Sequence, residues 1–538
     1  MPARTFVMTG RRRAVEADVL VVGSGISAAM VADKLARTTK KSIVVVEAGD
    51  DVIAMAARGA ERERYLAYGK NPWPNDHIDG FEIEGPLQSR SMFVGGLAMH
   101  WGGVTPRFSP DDFRHRSIFG VGDDWPISYE DLDPYYQEAE ELMGVAGEQG
   151  PPAMDPRSKP FPLPALPLTY NLGLLREWAS KAGIATWSQP SAKNSVQFKN
   201  RPPCCRNDTC APICPIGAKY SPDLTWQPLR SANRIRLIPR TVVRRLVLDG
   251  ATGRISHAVA LDRDRPSEPV EFHAKQFVVA GGYTWSSHLL LLSAQGGAET
   301  GIANRSGLVG KYLAGHRNVQ GFITLPMRLF PGINEQHSLL SKQFMRATAP
   351  SADFIRHDLR IWESASGKGP RLKNDAGETM LGDEILADWR KRTATGVARV
   401  RSYYDVLPDR SSELTLDSTR TTPWGDPLPK LSFRDAPASV DLHGRTEDRI
   451  RGVFQALARA GDGQLMRTSV DNFQDHPSGG CRMGADPASS VVDSWGRTHD
   501  HENLFVVGAP TCVSGGCANA TLTFCALSLR AAQEIAKG

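Results

Sequence analysis

The sequence predicts an α/β protein of two domains, and three observations carry that expectation. A strand–turn–helix–strand unit runs from Asp18 to Glu47. Short strand-like stretches recur mid-chain, as at Val397 to Val406 and Pro429 to Phe433. The length, 538 residues, also exceeds what one hydrophobic core usually organises. Composition removes several alternatives. A mean hydropathy of −0.32 without a long apolar run excludes a transmembrane helix. A hydrophobic share of 41% excludes low-complexity disorder. The 64 basic and 59 acidic residues give a net charge of +5, with no basic block for nucleic acid. The first sixteen residues are basic but lead into no apolar stretch, so they read as a frayed N-terminus and not an export signal.

Each part of the N-terminal unit has a mechanical reason. Asp18 to Val22 is apolar and rich in β-branched residues, as a buried parallel strand is. Gly23 permits the tight turn, Gly25 lets a pyrophosphate approach the backbone, and small Ala28 lets the helix from Ala29 to Thr38 pack on the strand. That helix offers its N-terminal N–H groups and positive dipole end to phosphates. A second strand, Ile43 to Val46, ends in Glu47, placed 24 residues after Gly23 to accept hydrogen bonds from a ribose. Together these make a Rossmann-like dinucleotide site.

The eight cysteines are too sparse for a disulfide scaffold, yet four fall at Cys204, Cys205, Cys210 and Cys214. Their spacing is C-C-x4-C-x3-C, ending in Cys-Pro. A zinc knuckle uses separated pairs and fits poorly. Disulfides need an oxidising compartment and awkward bridges between near neighbours. An iron–sulfur cluster needs thiolates converging from one tight loop, and this run suits it best, with three or four ligands. The other four, Cys481, Cys512, Cys517 and Cys525, read as small buried hydrophobes. The triplet His499-Asp500-His501 reads as a surface loop and not a metal site.

Later motifs converge. Residues 85–107 read GPLQSRSMFVGGLAMHWGGVTPR, Phe277 to Gly282 is FVVAGG, and His476-Pro477-Ser478-Gly479-Gly480-Cys481-Arg482-Met483-Gly484 lies near the C-terminus. Asn503 to Gly508 and Ala518 to Thr523 follow. This order resembles the glucose–methanol–choline (GMC) flavoprotein oxidoreductases over nearly the whole chain. The resemblance implies a Rossmann-like FAD-binding domain from residues 1–317 and 468–538, including the cysteine loop 200–220. It also implies an α+β substrate domain with an antiparallel sheet over 318–467. It assigns FAD contacts to Gly23, Gly25, Ala28, Glu47, Gly95, Gly96, Trp101, Val243, Gly508, Ala509 and Thr521. His100 stands where pyranose 2-oxidases carry a covalent flavin, so a covalent link, a non-covalent lining role and simple packing all remain open. By the same resemblance His476 is the base that takes the hydroxyl proton while a hydride goes to flavin N5. A histidine suits that task because its ordinary pKa near about 6.5 leaves it neutral at working pH. Asn519 matches the second position, where an amide holds the substrate hydroxyl without competing for its proton.

The cysteine run narrows the resemblance to the FAD catalytic subunits of bacterial glucose and glucoside 3-dehydrogenases. Those carry a [3Fe–4S] cluster, a small twin-arginine escort subunit and a cytochrome c-type acceptor. The expectation is therefore a dehydrogenase oxidising a secondary hydroxyl, at C3, of a sugar or glycoside. It would be periplasmic through a partner and membrane-associated only through partners; otherwise it is cytoplasmic with another acceptor. One of Cys204 and Cys205 would be spare. An oxygen-reducing oxidase and a catalytically silent electron-transfer subunit are the rivals. Asp405 and Glu413, where the family often has Glu and Asn, read as sheet-edge and loop charge. His357, Trp362 and Trp424 read mainly as packing, with a sugar contact as the alternative.

Overall fold

A computed structural model describes residues 8–9, 12–73, 91–330, 337–346, 353–364 and 369–538. Residues 85–90 of the glycine-rich loop lie outside the described residues. The expected unit forms, but its strand starts at Arg12 and not Asp18, so residues 13–16, read as frayed, pair with the long strand instead, and its helix starts at Ile26. Strand Arg12–Val22 lies parallel to Ile43–Val46 and to the long strand Arg265–Val279. Its apolar end is fully enclosed, Val19 and Val21 at 0% exposure, which suits a strand covered on both faces. Helix Ile26–Thr38 packs Ala28, Ala29 and Ala32 into that core, and its small residues let it approach closely. Leu504–Val506 adds in parallel to the end of Arg265–Val279, so the C-terminal segment completes the N-terminal sheet. Helix Thr521–Lys537 then packs between Ile26–Thr38 and Tyr129–Met143. Ile255–Asp262 and Thr241–Leu248 extend the sheet antiparallel.

A second sheet of six antiparallel strands runs in the order Gln464–Ser478, Ala314–Leu325, Gly396–Asp405, Leu359–Glu363, Leu339–Ser341, Trp187–Ser188. Strand alternation divides its faces. Val319, Ile323, Ile361, Val400 and Tyr404 turn to one side, forming a core with helices Tyr170–Lys181 and Pro437–Ala460. His316, Arg360, Arg401 and Tyr403 belong to the opposite phase.

Strand Ala314–Leu325 begins before residue 318, and Gln464–Ser478 runs past 467. Glu413–Thr421 and Pro427–Ser432 form a separate hairpin that packs on helix Gly282–Leu292. Among the described residues, no helix is long and apolar enough to cross a membrane.

Three sequence expectations change. Asp405 is buried, not a sheet-edge charge: it accepts from Arg356 at 3.0 Å and lies 3.3 Å from His115. His501 is also buried, 2.8 Å from the Gly253 carbonyl, which accepts from its Nδ1. Glu413 opens strand Glu413–Thr421 rather than sitting in a loop, and it ion-pairs with Lys311. The four C-terminal cysteines are buried as expected, and burial pushes the Cys481 thiol up to about 12.

Candidate active site

A cavity of about 560 Å³ opens between the two sheets. On the first sheet's side it begins at the glycine turn. Gly23 has φ +97°, and a Cβ there would lie 2.7 Å from the Ala280 carbonyl oxygen, so only glycine fits. Gly25 has nothing within 4 Å of where a Cβ would sit, so the turn faces open space. No side chain caps the helix that follows, which leaves its first N–H groups for a phosphate. The buried Glu47 carboxylate accepts from the Ser24 hydroxyl at 2.6 Å and from the Gly49 N–H at 2.9 Å. Burial raises its pKa, opposed by these bonds.

Gly23, Gly25, Glu47 and Val243 line this cavity. So do Gly96, Trp101, Ala509 and Thr521, together with His476 and Asn519. Ala28, Gly95, His100 and Gly508 do not. Ala28 is at 0% exposure under the helix, in the packing role expected of it. His100 turns away from the cavity: its ring meets Phe93 and Trp73 edge-on, and Nε2 lies 3.2 Å from the Ser91 hydroxyl. Burial, then Lys219, pushes His100 down to about 4.

His476 sits near the end of strand Gln464–Ser478 with φ +50°, a strained backbone for a non-glycine residue. Its Nε2 is 2.9 Å from Asn519 Nδ2, and its Nδ1 is 2.9 Å from Nε2 of His316, a residue absent from every sequence expectation. Hydrogen-bond polarity fixes the tautomers along this line. The Gly516 carbonyl only accepts, so at 3.3 Å His316 Nδ1 carries the hydrogen. Burial and the nearby His476, Arg360 and Arg401 hold His316 well below its ordinary pKa, so it stays neutral and its Nε2 accepts. His476 Nδ1 then donates to it. The lone pair of His476 remains at Nε2, beside Asn519 on the cavity wall. Asn519 Oδ1 is buried without a hydrogen-bond partner among the described residues.

Tyr403 lies against both histidines, its ring 4.2 Å from His316 and 6.0 Å from His476. Arg360, Arg401 and Trp424 also line the cavity. Trp362 stacks between arginines, and His357 is buried with its ring on Phe344. The signal for these residues is alternation: Arg399, Arg401 and Tyr403 are spaced at i, i+2 between the buried Ala398, Val400, Ser402 and Tyr404. Which strand they face is set only by register.

The cysteine loop packs behind the cavity wall. Trp101 Nε1 donates to the Tyr220 carbonyl at 2.8 Å. The buried Lys219 ammonium donates to the carbonyls of Trp101 and Cys210 at 2.7 Å and of Met99 at 3.1 Å. All three acceptors are neutral, and among the described residues no carboxylate pairs with this ammonium, a setting suited to an anionic group. Cys210 and Cys214 are buried, Cys204 is half-buried and Cys205 is exposed. Cys204 packs on Ala146, Leu163 and Leu166, and its thiol is raised by burial above all, with Cys210 and Cys214 close enough to add to it. No three of the sulfurs lie within 4.8 Å of one another.

GMC oxidoreductase family models match residues 173–318 and 408–528. The fructose dehydrogenase large subunit of Gluconobacter japonicus is 32% identical over 97% of this chain and 98% of its own length. The 6'''-hydroxyparomomycin C oxidase of Streptomyces lividus is 28% identical over 96% of this chain and 91% of its own. Among solved structures, pyridoxine 4-oxidase from Mesorbium loti superposes with a TM-score of 0.62 at 18% identity, covering 96% of this chain and 98% of that one. That likeness speaks for the fold, and the glycine turn, Glu47 and the long cavity fit FAD. The sequence relatives match end to end, so the chain belongs to the GMC oxidoreductase family of FAD enzymes.

Proposed function

We propose that this protein is a dehydrogenase that oxidises a secondary hydroxyl, at C3, of a sugar or glycoside. The observation that carries the reading is the His476–Asn519 pair on the cavity wall, with the lone pair of His476 directed to Asn519. A hydroxyl that replaces their direct hydrogen bond donates to His476 Nε2 and accepts from Asn519 Nδ2, which orients its C–H bond. FAD, held by the glycine turn, Glu47 and Val243, supplies the hydride acceptor. The sugar class draws on the fructose dehydrogenase and aminoglycoside oxidase relatives. C3 draws on the resemblance of the cysteine run.

The same reading gives the loop Cys204–Cys214 an iron–sulfur cluster, [3Fe–4S], as the exit for electrons. Cys204, Cys210 and Cys214 would hold it and Cys205 would be the spare, since Cys205 alone of the four is exposed. Lys219 supports this, because it links Trp101 on the cavity wall to Cys210. We also propose a periplasmic assembly with a small escort subunit and a cytochrome c-type acceptor. A relative described as a large subunit supports such an assembly.

Anaerobic titration with a panel of sugars and glycosides tests the core of this reading. Bleaching of the flavin absorbance, and dye-linked turnover without hydrogen peroxide, are expected. Peroxide formation at the turnover rate overturns the dehydrogenase reading in favour of an oxidase. Failure of every alcohol to bleach the flavin overturns the enzymatic one.

A further inference from the structure

The face of the six-stranded sheet turned to the cavity carries a stacked series of guanidinium groups and aromatic rings. Arg360 pairs directly with Arg401 across neighbouring strands, as does Trp362 with Arg399, so these side chains share one face. The Arg399 guanidinium lies 4.8 Å from the Trp362 ring centre, and Arg401 lies 5.4 Å from Trp362 and 4.3 Å from Tyr403. Arg360 completes the series at 5.2 Å from Tyr403. Tyr403 in turn touches His316 and His476. The series therefore ends on the proton acceptor, and two of its cations, Arg360 and Arg401, line the cavity.

The charges on this wall do not cancel. Asp358 accepts from Arg360 Nε at 2.8 Å and spends its other oxygen on the Tyr403 N–H at 2.7 Å. Arg401 has no ion-pair partner among the described residues. The acids that line the cavity are committed elsewhere, Glu47 to backbone N–H groups and Asp426 to Arg244. Asp471, two strands from Arg401, accepts from Asn318. Arg360 is at 1% exposure, and its Nη2 and the Nε of Arg401 are buried without a hydrogen-bond partner among the described residues. A guanidinium held rigid by stacking on a cavity wall, in excess over the carboxylates there, is built to take a carboxylate or phosphate oxygen.

We propose that Arg360 and Arg401 form an anion subsite beside His476, and that the preferred substrate is a sugar or glycoside bearing a carboxylate or phosphate group. The inference rests on the proposed alcohol oxidation at the same site and specifies its substrate. The anionic group docks on the two arginines, and the reacting hydroxyl reaches His476 and Asn519.

Three matched glycosides test it on the holoenzyme with a dye acceptor: methyl glucoside, methyl glucuronide and methyl glucoside 6-phosphate. The expected result is a kcat/KM for one or both anionic glycosides at least roughly tenfold above the neutral one, with a KM that rises with ionic strength. The carboxylate and phosphate arms identify which anion is taken. Arg401→Gln should lower the anionic-to-neutral ratio about tenfold or more through KM, and Arg401→Lys should recover part of it. A neutral glucoside that matches or exceeds both anions overturns the subsite. So does an Arg401→Gln variant that lowers all three substrates alike, which would assign the arginines to the flavin. If none of the three bleaches the flavin while another sugar does, the subsite alone falls. If no alcohol does, the underlying function falls with it.

Discussion

The reactivity of His476 depends on which nitrogen carries its proton, and the structure assigns that to His316. Removing the base should be severe: His476→Ala is expected to lower the rate of flavin reduction by roughly 10²–10⁴-fold with FAD still bound. Stopped-flow bleaching measures this, and a near-normal rate would remove His476 from the chemistry. The neighbour makes a finer prediction. His316→Leu leaves His476 Nδ1 without its acceptor, freeing the ring to place its lone pair on the wrong nitrogen. A loss of about ten- to a hundredfold in kcat is expected, with a changed pH profile. His316→Gln keeps an acceptor at that place and should restore most of the rate. Equal losses in both variants would reduce His316 to a packing residue. His476 and Asn519 were legible because each sits in a contiguous motif. His316 was not, because it is separated from His476 by 160 positions and meets it only through strand pairing.

At the scale of elements, helix Gly282–Leu292 is joined to the hairpin Glu413–Ser432 through His288, whose Nε2 donates to the Pro427 carbonyl at 2.7 Å. Burial holds His288 down to about 4, and His357 in the second sheet likewise. The sign follows from proton binding. Below about pH 6.5 the unfolded chain protonates these rings, whereas the folded chain does not until near pH 4. Stability should therefore be intact above pH 6.5 and fall through that window, each ring contributing roughly 2 kcal/mol of loss by pH 5. His288→Gln keeps a donor for Pro427 and cannot titrate. Its Tm should fall less steeply than wild type between pH 7 and 5, whatever its value at pH 7. Identical slopes would show that His288 titrates normally. The sequence announced the hairpin's second strand at Pro429 to Phe433 but not its place. Alternation marks a strand, while the helix it packs on is set by tertiary contacts. Strand Gly396–Asp405 was read almost to the residue because its alternation is long and regular.

At the scale of the molecule, the cavity exists because two sheets of different origin meet. The dinucleotide unit is local, with strand, turn, helix and acid inside thirty residues, and so the sequence displays it whole. The opposite wall draws on residues 316, 360, 401 and 403 from three strands, and no motif collects them. The cysteine run is intermediate: spacing nominates four ligands, and only folding ranks them. Three-dimensional placement puts Cys210 and Cys214 inward beside the Lys219 ammonium, leaves Cys204 half-buried close to both, and leaves Cys205 in solvent. If the loop binds a three-iron cluster, serine at each position should divide the cysteines. Cys205→Ser should retain iron and its low-temperature EPR signal after anaerobic purification. Cys204→Ser, Cys210→Ser and Cys214→Ser should each lose both. Flavin content should persist in all four, since the loop meets the cavity wall through backbone carbonyls and the Trp101 indole, not through sulfur. Loss of iron from Cys205→Ser would make the exposed thiol a ligand and require the loop to close over it. Absence of iron from the wild-type protein would leave Lys219 as a buried cation facing no anion, and the electron exit would have to lie elsewhere.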